Sequence, residues 1–252
     1  MTRNLTLIKG LAAAGAAGLL LTGCGGNDPT MPPDGGATGD SDGGGSGSSS
    51  YSVMAEWEGC EALDDIQPIQ EFMGIQDWGT NGLKSSDIPS GLDGEAFNCG
   101  ADMATVAVYT SESEVTGNRD YPGTSTIDIG VAPWESDAEA TENFQSRVDQ
   151  LTEALETGGT EYSNVQEGEI EGDWDESFYF AGNSATGYSL SAIVRKADIV
   201  FYAFIDYTTD PAVEHDSEPI YPFTDEEFRT WVIGEYMPTT YADLLAKKES
   251  GL

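Results

Sequence analysis

The sequence predicts an α+β fold: an antiparallel β-sheet covered by amphipathic helices and pinned by one disulfide. Three observations carry that expectation. Aromatic and β-branched runs recur at Ser177 to Ala181, Tyr188 to Arg195 and Ile199 to Thr208, separated by turn residues, as in an antiparallel meander. A capped segment of helical period begins at Ser136. Of three cysteines, Cys60 and Cys99 form an even pair within the folding part of the chain.

In chain order, Arg3 and Lys9 flank a basic start, and Leu11 to Leu21 follow without a charge. That apolar stretch is far shorter than the roughly 20 residues a membrane-spanning helix needs, so it reads as a cleaved signal peptide over 1–23. Leu21-Thr22-Gly23-Cys24 resembles the bacterial lipobox, which implies cleavage before Cys24 and a diacylglyceryl group on its sulfur. Cleavage by the ordinary secretory peptidase would instead leave Cys24 a free thiol. No twin-arginine pair precedes the apolar stretch, which favours the general secretory route. Residues 25–51 hold nine Gly, five Ser, three Pro and four Asp, so 24–51 reads as a lipidated cysteine and a flexible tether. Asp40-Ser41-Asp42-Gly43 starts like a calcium loop but lacks its later ligands and closing Glu.

Folding is expected over 52–252, as one extracytoplasmic domain. A short helix fits Asp65 to Met73, with Pro68 in its first turn and Gly74 as its stop. Residues 75–96 read as a loop, and Met103 to Tyr109 and Thr126 to Val131 as strands. Ser136-Asp137-Ala138-Glu139 has the form of a capping box, and Ala140, Phe144, Val148, Leu151 and Leu155 then share one helix face. That stripe, with Leu151 near its centre, is expected to pack on a sheet containing Ile199 to Thr208 and so make the core. Thr224 to Glu227 forms a second capping box ahead of Phe228, Trp231, Val232 and Tyr236, and Thr240 to Lys248 a last helix.

Charge narrows the function. With 45 acidic and 10 basic side chains the chain carries −35, so it lacks the basic surface that neutralises nucleic-acid phosphates. Cleavage at Cys24 would remove two of those basic residues and no acidic one. Such acidity suits a salt-adapted surface or a protein kept soluble and monomeric by self-repulsion. In an oxidising compartment Cys60 and Cys99 default to a disulfide; a metal site would need more ligands than two cysteines and His215 supply. No nucleophile elbow, phosphate loop, dinucleotide fingerprint or zinc-protease motif occurs, so no catalytic residue, cofactor or metal is assigned. His215 in Glu214-His215-Asp216 reads as a solvated side chain. Asp173 with Asp175, and Glu226 with Glu227, are carboxylate pairs that so acidic a chain produces by chance.

The order of parts resembles a family of actinobacterial lipoproteins, domain of unknown function 3558. The matching parts are the lipobox at Cys24, the tether, Cys60 before an apolar segment ending at Met73-Gly74, Asn98-Cys99 opening a strand, and the helix from Asp137. The resemblance covers roughly residues 53–210. It implies an envelope-tethered α+β domain related in outline to sensor domains of bacterial serine/threonine kinases. Those sensors carry a second disulfide for which this chain has no cysteine.

The function expected is a non-catalytic binding or accessory module, sensor-like, on the outer face of the cytoplasmic membrane. Its partners would be the membrane, through the lipid, and an envelope protein or apolar ligand. The alternative is a carrier of a lipid or other apolar molecule in a cavity bounded by Tyr179, Tyr188 and Tyr202; an envelope enzyme is the third reading. The anchor is directly testable. Replacing Cys24→Ser should shift the protein out of the membrane fraction and block its processing; fractionation with immunoblotting reads both, and a processed variant still on the membrane refutes lipidation.

Overall fold

Strand β7 (Ile199–Thr208) explains why the sheet is covered on both sides: every residue from Ile199 to Ala203 is buried, so neither of its faces meets water. The computed structural model describes residues 49–88, 96–111 and 119–251, all within one compact unit, Ser46–Leu252. The expected leader, Cys24 and nearly all of the tether lie outside the described residues.

The chain enters through a short helix α1 (Ser50–Met54), so Ser50 and Tyr51, which composition assigns to the tether, are helical. Helix α2 (Gly59–Ala62) and a 3₁₀ turn lead into α3 (Gln67–Met73), which starts with Pro68 in its first turn and is closed by Gly74, as expected. Strand β1 (Lys84–Ser86) lies inside the segment expected to be loop; its polar residues carry no apolar alternation to reveal it. Strands β2 (Phe97–Ser111) and β3 (Arg119–Pro133) are much longer than their apolar patterns suggest. The reason is that β2 is bulged between Ala101 and Ala104 and again between Thr105 and Ala107, with Met103 at φ 60°, which breaks the period of two.

Helix α4 (Asp137–Thr157) then carries the chain across one sheet face to the far edge. Strands β4 (Ser163–Gly168), β5 (Glu176–Asn183), β6 (Gly187–Lys196) and β7 return as an antiparallel meander, and β7 pairs with β3. The spatial order is β1-β2-β3-β7-β6-β5-β4. The meander matches expectation except for β4, whose side chains are almost all exposed and so show no pattern. A short helix α5 (Pro211–Glu214) is also unforeseen. Helix α6 (Asp225–Trp231), a π-turn (Val232–Tyr236) and α7 (Met237–Ser250) run without the break expected before Thr240. The wide turn takes up Pro238, which lacks an amide hydrogen, in the first turn of α7.

The two sheet faces are unequal. Ile199, Phe201, Ala203 and Ile205 of β7 join Ile127, Ile129 and Val131 of β3 in the large core, covered by α1–α3 and α6–α7. Val200 and Tyr202 point the other way, into a smaller cluster under α4 with Ala140, Phe144 and Ile193. Helix-on-sheet packing through α4 is therefore present, but the main core is on the opposite face. On α4, Ala140, Phe144 and Arg147 are the buried residues, while Val148 and Leu151 are only half-buried. The guanidinium of Arg147 lies 4.5 Å from the Tyr202 ring centroid and partly offsets the burial that pushes the Asp128 carboxyl upward. Ser136 caps α4 through Glu139 N, whereas the second box is complete: Thr224 and Glu227 bond reciprocally.

Cys60 and Cys99 are bonded, with Cα atoms 4.5 Å apart, tying α2 to β2. The neighbouring Gly59 lies so close to β2 that a Cβ there would sit 1.9 Å from the Asn98 carbonyl oxygen. A closed loop of this length, 39 residues of separation, restricts the unfolded chain by about 4 kcal/mol in the entropy account. The burial difference along α4 sets an order for stability: Phe144→Ala should cost roughly 3 to 5 kcal/mol and Leu151→Ala about 1. Chemical denaturation of both variants checks it; equal losses would contradict the packing of α4.

Candidate functional site

The end of β7 carries Tyr207, paired across the sheet with Tyr188 on β6, and both rings point to the large-core face. Beyond Thr208 the chain leaves the sheet, and Asp210 holds its path. Its carboxylate accepts from the backbone N–H of Ala212 and Val213 at one oxygen and of Ile220 and Tyr221 at the other. That fastening folds residues 211–221 back so that Tyr221 lies against β3, where Gly123 makes room: a Cβ there would be 2.3 Å from the Tyr221 hydroxyl. The hydroxyl donates to the Thr208 carbonyl oxygen at 3.0 Å. The capping box at Thr224 then starts α6 and presents Asp225.

These residues enclose an open crevice of about 280 Å³, walled by Tyr188, Tyr207, Tyr221, Phe223, Asn183 and Asp225 among others. The rings support one another: Tyr207 contacts Tyr188 at 5.3 Å and Phe223 at 5.4 Å between centroids. Tyr207 donates to Asp225 Oδ1 at 2.8 Å, and the Asn183 amide donates to Oδ2 at 2.8 Å. Burial, reinforced by the Asp225 charge, drives the Tyr207 hydroxyl far above its ordinary pKa, so it stays a donor. Burial also pushes Tyr188 up to about 12. The Tyr188 hydroxyl is enclosed without a well-formed hydrogen bond, and the Arg229 guanidinium beside it partly offsets the effect of burial.

The crevice is at one end of the strands, and the described chain starts at the other. Ser50 donates through its amide and hydroxyl to the Asp198 carboxylate, at 2.7 and 2.6 Å, in the β6–β7 turn. The length of β7, about 30 Å at 3.3 Å per residue, separates this entry point from the crevice.

Of Tyr179, Tyr188 and Tyr202, only Tyr188 lines the crevice. Tyr179 is half-buried on the same sheet face, packed against the large core, whereas Tyr202 is on the opposite face under α4. The three therefore cannot bound a single cavity: Tyr188 is opposite Tyr207 on β7, and the alternation along β7 puts Tyr202 and Tyr207 on opposite faces. His215 is exposed and packs between Tyr109 and Tyr121, with ring centroids 5.4 and 4.7 Å away. Asp173 and Asp175 bind Lys196, and Asp175 also meets Arg195, so this pair clamps the β6–β7 turn. Glu227 is spent on its cap, where the Thr224 amide holds its carboxyl below the usual range. No cluster of metal-ligating side chains is found among the described residues, and none of their helices is long and apolar enough to cross a membrane.

Asp225, Tyr207, Tyr221 and Asn183 escape sequence reasoning because they come from four separate segments. The one available signal is Asp225 directly after the cap residue Thr224. Comparison with known proteins finds no match among family models, curated proteins or solved structures. The part-buried Tyr207–Asp225 hydrogen bond at the centre of the site can be weighed directly. Tyr207→Phe should lower stability by about 1 to 3 kcal/mol, since Asp225 loses a donor, with little change in the core. Thermal and denaturant melts measure this; an unchanged melt would mean that the network does not hold α6 to the sheet.

Proposed function

We propose that this chain is a lipid-anchored module of the cell envelope, held outside the cytoplasm through Cys24, that binds a small ligand without transforming it. The anchor half rests on the leader, the lipobox at Leu21 to Cys24 and the tether. The binding half rests on one observation: an aromatic crevice with an ordered carboxylate and an unspent hydroxyl, at the strand ends far from where the chain enters the domain. The resemblance to domain of unknown function 3558, and through it to sensor domains, favours an accessory or sensor-like role. The carrier reading gains nothing from Tyr179, Tyr188 and Tyr202, which do not converge.

Val213 allows a test that spares the fold, being 47% exposed on the crevice wall. Full-length protein, extracted from membranes in detergent, would be exposed to a small-molecule extract of the host envelope. The melting temperature should rise for the native chain and not for Val213→Trp, while mass spectrometry shows no component of the extract consumed. Equal rises in both proteins would move binding away from the crevice, and consumption of a component would make the protein an enzyme.

A further inference from the structure

We infer that the crevice takes a small organic ammonium ion, gripped by the Asp225 carboxylate, the Tyr188 hydroxyl and the surrounding aromatic rings. This rests on the crevice being the binding site and names the class of its ligand. Three independent features of the wall converge on that chemistry.

Aromatic rings present negative π-faces, and a cation within about 6 Å of a ring centroid is attracted to them. Tyr188, Tyr207, Tyr221 and Phe223 surround the space and brace one another, so their positions are set before a ligand arrives. Asp225 supplies the charge. An ionised carboxylate has about four acceptor sites and no donor, and Tyr207 and Asn183 occupy one site on each oxygen. The remaining sites ask for N–H groups. Asp210, the other carboxylate of the wall, accepts from four backbone amides and serves the loop instead.

Tyr188 adds the third feature. Its side chain is only 5% exposed and lines the crevice, yet its hydroxyl is enclosed without a well-formed hydrogen bond. Leaving such a group unmatched is unfavourable, and a ligand N–H would relieve it. Arg229 interacts with the Tyr188 hydroxyl from behind, outside the crevice wall, so a ligand N–H would compete with it for the hydroxyl oxygen, whereas Asp225 has no ion pair among the described residues. An anionic ligand would meet Asp225 inside and the field of a chain carrying −35 outside.

Titration calorimetry on the detergent-extracted full chain, with benzylammonium, tetramethylammonium, benzyl alcohol and benzoate as probes, separates the possibilities. Benzylammonium should bind at one site and keep its affinity at high salt, with tetramethylammonium weaker because it offers no N–H. Asp225→Asn should weaken benzylammonium at least about tenfold. Tyr188→Phe should weaken it several-fold and leave tetramethylammonium unchanged. Glu153→Gln, an exposed position on α4, changes net charge equally and should have no effect. If Glu153→Gln weakens binding as much as Asp225→Asn, or high salt abolishes it, the ammonium is only a counterion of an acidic surface and the inference fails. Preferred binding of benzyl alcohol or benzoate overturns the ligand class while preserving the crevice as a binding site. If none of the probes binds, the ammonium class is rejected, and the Val213→Trp comparison decides the binding reading separately.

Discussion

The pairing of β3 with β7 is the contact on which the rest of the molecule depends. Ile127 opposite Ile205, Ile129 opposite Ala203 and Val131 opposite Phe201 place large apolar side chains on one face at the middle of the sheet. The alternating residues Val200 and Tyr202 are equally buried on the other. A strand apolar on both faces is stable only if both are covered, so the two helical layers follow from this one pairing. It also forces the topology. β3 and β7 are far apart in sequence, and α4 must cross the sheet so that β4 to β7 can return and reach β3.

Once β7 is central, its two ends acquire different roles. The Ile199 end is fastened by charge: Asp175 and Glu176 hold Arg195, Asp173 and Asp175 hold Lys196, and Asp198 holds Ser50. Most of these groups are at least partly solvated, so they set geometry more than they add stability. The Tyr207 end is fastened by part-buried hydrogen bonds, without ion pairs among the described residues, with Asp210 organising the return loop and Asp225 receiving Tyr207. Arg195 and Lys196 are thus committed to the turn, while at the crevice end Asp225 has no ion pair among the described residues and Arg229 lies beside Tyr188. This division is what gives a chain so acidic throughout a local site with distinct chemistry.

The disulfide belongs to a separate problem. Helices α2 and α3 are too short to be stable alone, and they reach the large core by lying directly on β2, with Gly59 against its backbone and Cys60 bonded to Cys99. The staple holds the layer that closes the large core at its β2 side, opposite in the sheet order to the meander that carries Tyr188.

How much of this was legible in the residues follows from the range of the forces involved. Local signals were sufficient for the α+β class, the two capped helix starts, the stop at Gly74, the meander and the cysteine pair, because caps, turns and periodicity act over a few residues. They failed for β1 and β4, which are polar edge strands held by their neighbours' backbones, and for the true length of β2, where bulges hide the alternation. The buried Arg147 was also invisible, since its ring partner Tyr202 is on a strand more than fifty residues away. The crevice is the extreme case. Asn183, Tyr188, Tyr207, Tyr221 and Asp225 are ordinary residues in sequence, and only the register of β6 on β7 and the grip of Asp210 on its loop bring them together. Composition and spacing determined what kind of domain forms; long-range pairing alone decided which side chains share a site, because that choice is made by packing between segments that sequence patterns treat as independent.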